Sequence, residues 1–256
     1  MAIVRDALTN MVNNTGNSFT LSHTVADKPG RVLLVGFTHR TNDDVTGVTY
    51  GGVAMSQLIK VNNTTDGEWL YIYGLIAPAT GANDIVASFS TSQVNYYGAV
   101  SYYNCKQDGL PNVTDSLSQE TAQTSITATF TTTKDNCIGF AFSYGGGTET
   151  VGDGSAILNY LNGVGMLESN PLAIPTGEFS MTVNFASAEA AIIAVAVEPF
   201  PVFSGTETIT MTDDSFITWL VTFTETITTS EPYVRFKKVW QNVAKNVASW
   251  LNQDKT

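Results

Sequence analysis

Arg31 to Phe89 reads RVLLVGFTHRTNDDVTGVTYGGVAMSQLIKVNNTTDGEWLYIYGLIAPATGANDIVASF, and this stretch decides the fold class. Arg31 to Thr38 is a nearly continuous apolar run, the pattern of a strand covered on both faces, and Asn42-Asp43-Asp44 breaks it with turn residues. Tyr50-Gly51-Gly52 makes a second break. Glu68 to Ile76 alternates bulky and small residues and closes at Ala77-Pro78, and Gly81-Ala82-Asn83-Asp84 turns the chain into a strand from Ile85 to Phe89. Strands separated by turn chemistry in this way build a sandwich core. The stretch holds no cluster of residues that a reaction would need.

On either side the same grammar continues. Ser18 to Val25 alternates as a first strand, and residues 1–17 read as a polar arm whose patch Ala2-Ile3-Val4 would add an edge strand or reach a neighbour. Val94 to Tyr103 is aromatic-rich, with Gly98 marking a bulge or a close backbone approach. Thr124 to Thr132 alternates threonine with Ile126, Ala128 and Phe130, a half-buried strand with a hydroxyl face. Cys137 to Tyr144, Glu178 to Phe185 and Ala190 to Glu198 complete a set of about ten to thirteen strands, a count that favours a two-sheet sandwich. Between them, Gly145-Gly146-Gly147 and Gly152-Asp153-Gly154 bracket a loop whose backbone takes conformations closed to other residues.

Pro199-Phe200-Pro201 marks a boundary, because two prolines around one residue hold the chain extended and remove ladder donors. Beyond it lie two segments sharing Thr-Glu-Thr-Ile-Thr, at Thr206 to Thr210 and Thr224 to Thr228. These Thr-rich strands are short of core-filling residues, which points to pairing with another chain rather than to an independent fold. After Glu231-Pro232 the period changes, and Phe236, Trp240, Val243, Val247 and Trp250 recur at the spacing of one helix face. The expected organisation is an N-terminal arm (1–17), a β-sandwich domain (18–199), a Thr-rich β arm (200–232) and a C-terminal amphipathic helix (233–256). The fold class is all-β, a two-sheet jelly-roll-like sandwich carrying that arm and one helix.

Charge divides the chain at the same place. Residues 233–256 hold five of the twelve basic side chains and one acid, a net of +4, whereas the preceding 232 residues hold 7 basic and 22 acidic side chains, a net of −15. A body so acidic repels phosphate, so nucleic acid is not an expected partner. No apolar run approaches the roughly 20 residues that cross a bilayer as a helix, and the first 14 residues lack the pattern of a signal peptide. A protein made in a cytoplasm and not placed in a membrane is the expectation. Cys105 and Cys137 then read as two separate thiols.

The search for chemistry returns little. A glycosidase needs two carboxylates across a cleft, and Asp153, Glu168 and Glu178 are acids near Gly-rich loops, where acids are usually only solvated. His23 and His39, the only histidines, both sit in strand patterns and read as packed side chains, so neither a serine hydrolase base nor a metal site emerges. Asn42-Asp43-Asp44 and Asp213-Asp214 supply oxygen ligands but lack the periodicity of a calcium loop, and Gly145 to Gly147 lacks the lysine of a phosphate loop. No cofactor, no bound metal and no enzymatic activity are expected.

Val45 to Gly52 (VTGVTYGG) and Trp69 to Gly81, preceded by the apolar strand from Leu33, resemble β-sandwich modules of tailed-phage virion proteins and phage-like bacterial proteins. The likeness spans residues 18–199 and implies a structural or surface-binding role in a particle, with no catalytic residue to carry over. Two readings follow. One is a virion structural protein, a capsid decoration or cement protein made in the host cytoplasm, which meets copies of itself and other virion proteins through an assembly interface of Phe236, Trp240, Val243, Val247 and Trp250. The other is a receptor- or glycan-binding adhesin module of a phage tail or fibre used in host attachment, with Trp69, Tyr71, Tyr73, Tyr96 and Tyr97 stacking on sugar rings. Their alternation along strands favours a core role for these aromatics instead.

Overall fold

The computed structural model describes residues 2–40, 45–63, 67–111, 113–145 and 147–200, the side chain of residue 120 apart, and the backbone alone of 203–212 and 218–227. The chain divides into two compact units, Met1–Phe200 and Pro201–Thr256. Among the described residues every element is a strand, and the strands form antiparallel sheets.

The first sheet is drawn from β1 (Val4–Val25), β2 (Val32–Arg40), β3 (Val45–Tyr50), β4 (Val53–Ala54), β5 (Ser56–Asn63), β6 (Glu68–Ile76) and β7 (Gly81–Tyr103). The second is drawn from β8 (Val113–Thr132), β9 (Ile138–Gly145), β10 (Thr150–Val151), β11 (Ser155–Leu161), β12 (Val164–Ser169) and β13 (Gly177–Val197). The order is β4-β3-β7-β2-β6-β5 with β1 also on β7, and β10-β13-β9-β12-β11 with β8 also on β13. Each sheet therefore comes from one continuous half of the body, with no strand exchanged between them.

The long strands explain how each half closes. In β7 the segment Ile85–Phe89 buries alternate residues, residues 90–92 are exposed, and from Tyr97 to Tyr102 every residue is buried. A strand reading this way leaves a layer covered on one face, turns at a crease, and enters a layer covered on both. β13 repeats the pattern, alternating from Met181 to Phe185 and then continuously buried from Ala190 to Val197. Ladder irregularities sit at the creases, between Gly16 and Ser18 on β1 and between Asn184 and Ala190 on β13. Bulges at these points let the sheet fold over itself.

Folding over gives three cores. Phe19, Val48, Tyr50, Ile85 and Phe89 of the outer layer meet Leu33, Val35, Phe37, Tyr71 and Tyr97 of the inner layer within the first half. Phe130, Met181, Val183 and Phe185 meet Ala141, Leu167 and Ile192 within the second. Between the halves, Val32, Leu34, Leu70, Ile72 and Val100 face Ile138, Phe140, Phe142, Met166 and Ile193. The inner strands are buried on both sides because they serve two cores at once.

Residues 4–17 add a strand to the first sheet, the first of the two alternatives for the arm. From Val4 they are the first part of β1, which runs antiparallel to β7 from Val4↔Tyr103 to Val25↔Gly81. Their polar alternation reflects a strand with one face outward. The two Thr-Glu-Thr-Ile-Thr segments lie on β14 (Phe203–Thr212) and β15 (Thr218–Ile227), which pair with each other as an antiparallel hairpin, Thr206↔Thr224 and Thr208↔Thr222 among the partners. The sequence expectation of a jelly-roll-like sandwich meets an all-β body of two antiparallel sheets. The helix expected over 233–256 lies outside the described residues.

Candidate functional site

Reactive residue types gather around β1, where an acid, a base and hydroxyls converge. Asp6 occupies the bulge between Arg5 and Ala7, so its carboxylate turns inward beside Ser101 of β7. Ser101 Oγ donates to Asp6 Oδ2 (3.0 Å), and the Ala26 amide donates to the same oxygen (2.9 Å). Thr9 Oγ1 lies 2.7 Å from His23 Nδ1, bringing together two residues of β1 that the crease folds face to face. The Tyr50 hydroxyl shares its proton between the carbonyls of His23 and Gly81, 3.2 Å from each.

This constellation contains serine, histidine and aspartate without the relay geometry of a nucleophilic triad, since the serine bonds the acid and the histidine bonds a threonine. His23 is 1 % exposed and Ser101 is fully buried, so no substrate reaches either. Burial lowers the His23 pKa to about 4, overriding the nearby Asp6 charge, and its Nε2 has no hydrogen-bond partner. What the cluster does is tie the outer and inner layers of the first half together. His39 plays a matching part at the crease, stacked on Phe89 at 4.1 Å with Nδ1 2.7 Å from Asn95 Oδ1, while the Asn95 amide reaches Asn14 and Gly16.

A second group joins the two halves. Glu168 of β12 accepts the Tyr102 hydroxyl (2.8 Å) on one oxygen and the Arg5 guanidinium (3.0 Å) on the other. Burial raises its pKa while the Tyr102 bond and the Arg5 charge pull it back. A third lies in the second half, where buried Glu149 sets Oε2 2.8 Å from Ser143 Oγ and leaves Oε1 unpartnered. Burial pushes the Glu149 pKa up to about 8 against the Ser143 hydrogen bond. The carboxyl lies over Gly165, where a Cβ would fall 2.0 Å from Oε2.

Of the acids considered for glycoside chemistry, Glu168 is engaged in this interface, while Asp153 and Glu178 are exposed. The loop glycines behave as their sequence implies at Gly154, whose φ is +69° and whose Cβ would lie 1.9 Å from the Ser180 carbonyl. Tyr71, Tyr73 and Tyr97 are buried in the first half's own core, with Tyr97 stacked on Phe19 at 3.9 Å. Trp69 is half-buried against that core beneath Lys60, and Tyr96 packs against the core between the halves. Phe236, Trp240, Val243, Val247 and Trp250, together with Asn42-Asp43-Asp44 and Asp213-Asp214, lie outside the described residues. Among the described residues no group of three or more His, Cys, Asp or Glu could hold a metal ion.

Cys105 and Cys137 are both buried and free. Burial raises both thiols, Cys137 to about 11, so neither presents a reactive thiolate near neutral pH. The intact mass of the isolated protein is expected to be the same with and without reductant. A gain of two daltons on reduction counts against free thiols.

Sequence reasoning missed Glu149, Arg5, Asp6, Ser101 and Tyr102, whose partners lie up to 163 positions away along the chain. Only Ser101, a hydroxyl interrupting the apolar run from Gly98 to Tyr102, left a trace in the sequence. No family model, curated protein or solved structure matches the chain.

Proposed function

We propose that the protein is a non-enzymatic structural component of a virion, a capsid decoration or cement protein, whose body is the jelly-roll-like module and whose C-terminal residues are the assembly arm. The observation that carries this reading is a chain that changes character beyond its compact body, in composition after Phe200 and in charge after Pro232. The compact body ends at Phe200, the chain becomes Thr-rich strand beyond it, and net charge moves from −15 before residue 233 to +4 after it. Supporting it, the polar clusters of the body are buried and engaged in holding layers together, which leaves them no access to a substrate.

The root of the arm is well anchored. Phe200 N–H donates to the Asn104 carbonyl (2.7 Å), Cys105 bridges Pro199, and Glu198 pairs with Lys106 (3.1 Å). Asn104 also donates to the carbonyl of Ala2 (3.0 Å), so the chain leaves the body where its first residues and the connection between its halves meet. An element that transmits load to neighbours needs such a root. The adhesin reading draws no support from its aromatics, because Tyr71, Tyr73 and Tyr97 fill a core.

Burying Phe236, Trp240, Val243, Val247 and Trp250 against a neighbour is worth roughly 8–12 kcal/mol before ordering costs. Replacing Trp240 and Val243 together by Asp is expected to abolish self-association or particle binding in light scattering and sedimentation while the body melts as in the wild type. A variant that unfolds the body yet still associates would place that helix in the body's own core and end the assembly-arm reading.

A further inference from the structure

The two halves of the body share one topology. In each, the first strand runs antiparallel to the last along nearly its whole length, β1 with β7 and β8 with β13. The C-terminal part of that last strand pairs with the second strand, β2 or β9, which pairs with β6 or β12, which in turn pairs with β5 or β11. The N-terminal part of the last strand pairs with a short strand, β3 or β10. Only β4 has no counterpart.

The sequence keeps a trace of the same correspondence. Thr80-Gly81 leads into β7 and Thr176-Gly177 into β13, both glycines with positive φ (+85° and +122°). At the same offset of 96 positions, Ile85, Ala87 and Phe89 correspond to Met181, Val183 and Phe185, and all six face the core of their own half.

One pair of contacts between the halves is reciprocal, whereas those of β5 and β6 with β13 have no equally extensive counterpart. β5 of the first half lies against β8 of the second, and its counterpart β11 lies against β1, the counterpart of β8. Where β2 and β9 face each other, Val32, Leu34 and Gly36 correspond to Ile138, Phe140 and Phe142. A Cβ on Gly36 would lie 2.2 Å from Phe142 Cδ2, so these two equivalent positions meet. Residues on a two-fold axis meet their own counterparts, and two phenylalanines could not share that point.

We infer that the inward face of each half is a self-complementary association surface, and that the body is two copies of one β unit fused about a pseudo-two-fold axis. The partner this face fits is a second copy of the same unit, supplied here by the same chain. The size of the side chains is divided between the copies, glycine on one and phenylalanine on the other.

The test exchanges the pair across the axis in the full-length chain. Gly36→Phe alone is expected to yield no native near-ultraviolet dichroism, and Phe142→Gly alone a marked drop in melting temperature. The double variant Gly36→Phe/Phe142→Gly should be folded and recover more than half of the drop seen with Phe142→Gly. A double variant no better than the worse single one overturns the inference. As an independent measurement, a protease site placed at Asp108-Gly109 in the connection is cut after folding. The two pieces are expected to elute together at the uncut size in native buffer, and separation into free pieces overturns it.

Discussion

Raising the pH from 6 to 9 is expected to weaken the body by roughly 3 kcal/mol, and Glu149→Gln to remove most of that loss. The unfolded chain titrates Glu149 near 4.5 and the folded one at about 8. Between those values the folded state holds a proton that the unfolded state has released, so stability falls as pH rises, by about 1.4 kcal/mol per unit. Full stability from this group is present below 4.5. His23 works in the opposite sense, since its pKa drops from 6.5 to about 4 on folding. Its contribution is complete above 6.5 and is lost as pH falls toward 4, by roughly 3 kcal/mol.

From pH 4.5 to 6.5 the two slopes oppose each other, which flattens the profile there, and above 6.5 the Glu149 slope is no longer opposed by His23. Glu168, shifted upward by burial, adds to the decline with rising pH. Urea unfolding at pH 6 and pH 9 reads the effect directly. Wild type and Glu149→Gln losing equal stability between those two values would show that the buried carboxyl is not its source.

Phe37→Ala is expected to cost about 3–5 kcal/mol, the range for deleting a buried aromatic whose cavity does not collapse. Phe37 sits on β2 at the centre of an aromatic cluster, its ring centroid 5.0 Å from Tyr71, 5.5 Å from Phe19 and Tyr73, and 5.8 Å from Phe89. Those neighbours come from both layers of the first half, so none can move in without dragging a strand of a layer with it. In a body of this size such a loss lowers the melting temperature by on the order of 10 °C. Val53→Ala, on the exposed β4 edge, should change stability by less than about 0.5 kcal/mol and serves as the control. Equal effects of the two substitutions would refute the layered core.

The inner strands were the most legible part of the chain. Val32 to Phe37 is apolar throughout because β2 serves the core between the halves on one face and its own half's core on the other, and no polar side chain is tolerated until Thr38. Trp69, Tyr71 and Tyr73 alternate because only one face of β6 meets the aromatic core. The turn into β7 at Gly81 was equally visible, since a positive φ is a local demand that the residue itself records.

What tertiary structure alone decided begins at the creases. Ser90-Thr91-Ser92 and Ala186-Ser187 lie between the expected strands, yet the backbone runs through them as strand while their side chains, at a fold line, leave both cores. Whether residues 4–17 would add a strand or reach a neighbour was open for a related reason, as their pairing partners on β7 lie far along the chain, from Val4↔Tyr103 to Gly16↔Gln93. The buried acids follow the same logic. Glu149 stands just before β10, and its burial comes from packing over Gly165 and beside Ser143 of β9. Local sequence determined which residues could be buried strand, through period and turn chemistry, because those are properties of neighbours along the chain. Which face met which layer, and which acid lost its water, depended on packing between segments distant in sequence, and desolvation is set by that packing alone.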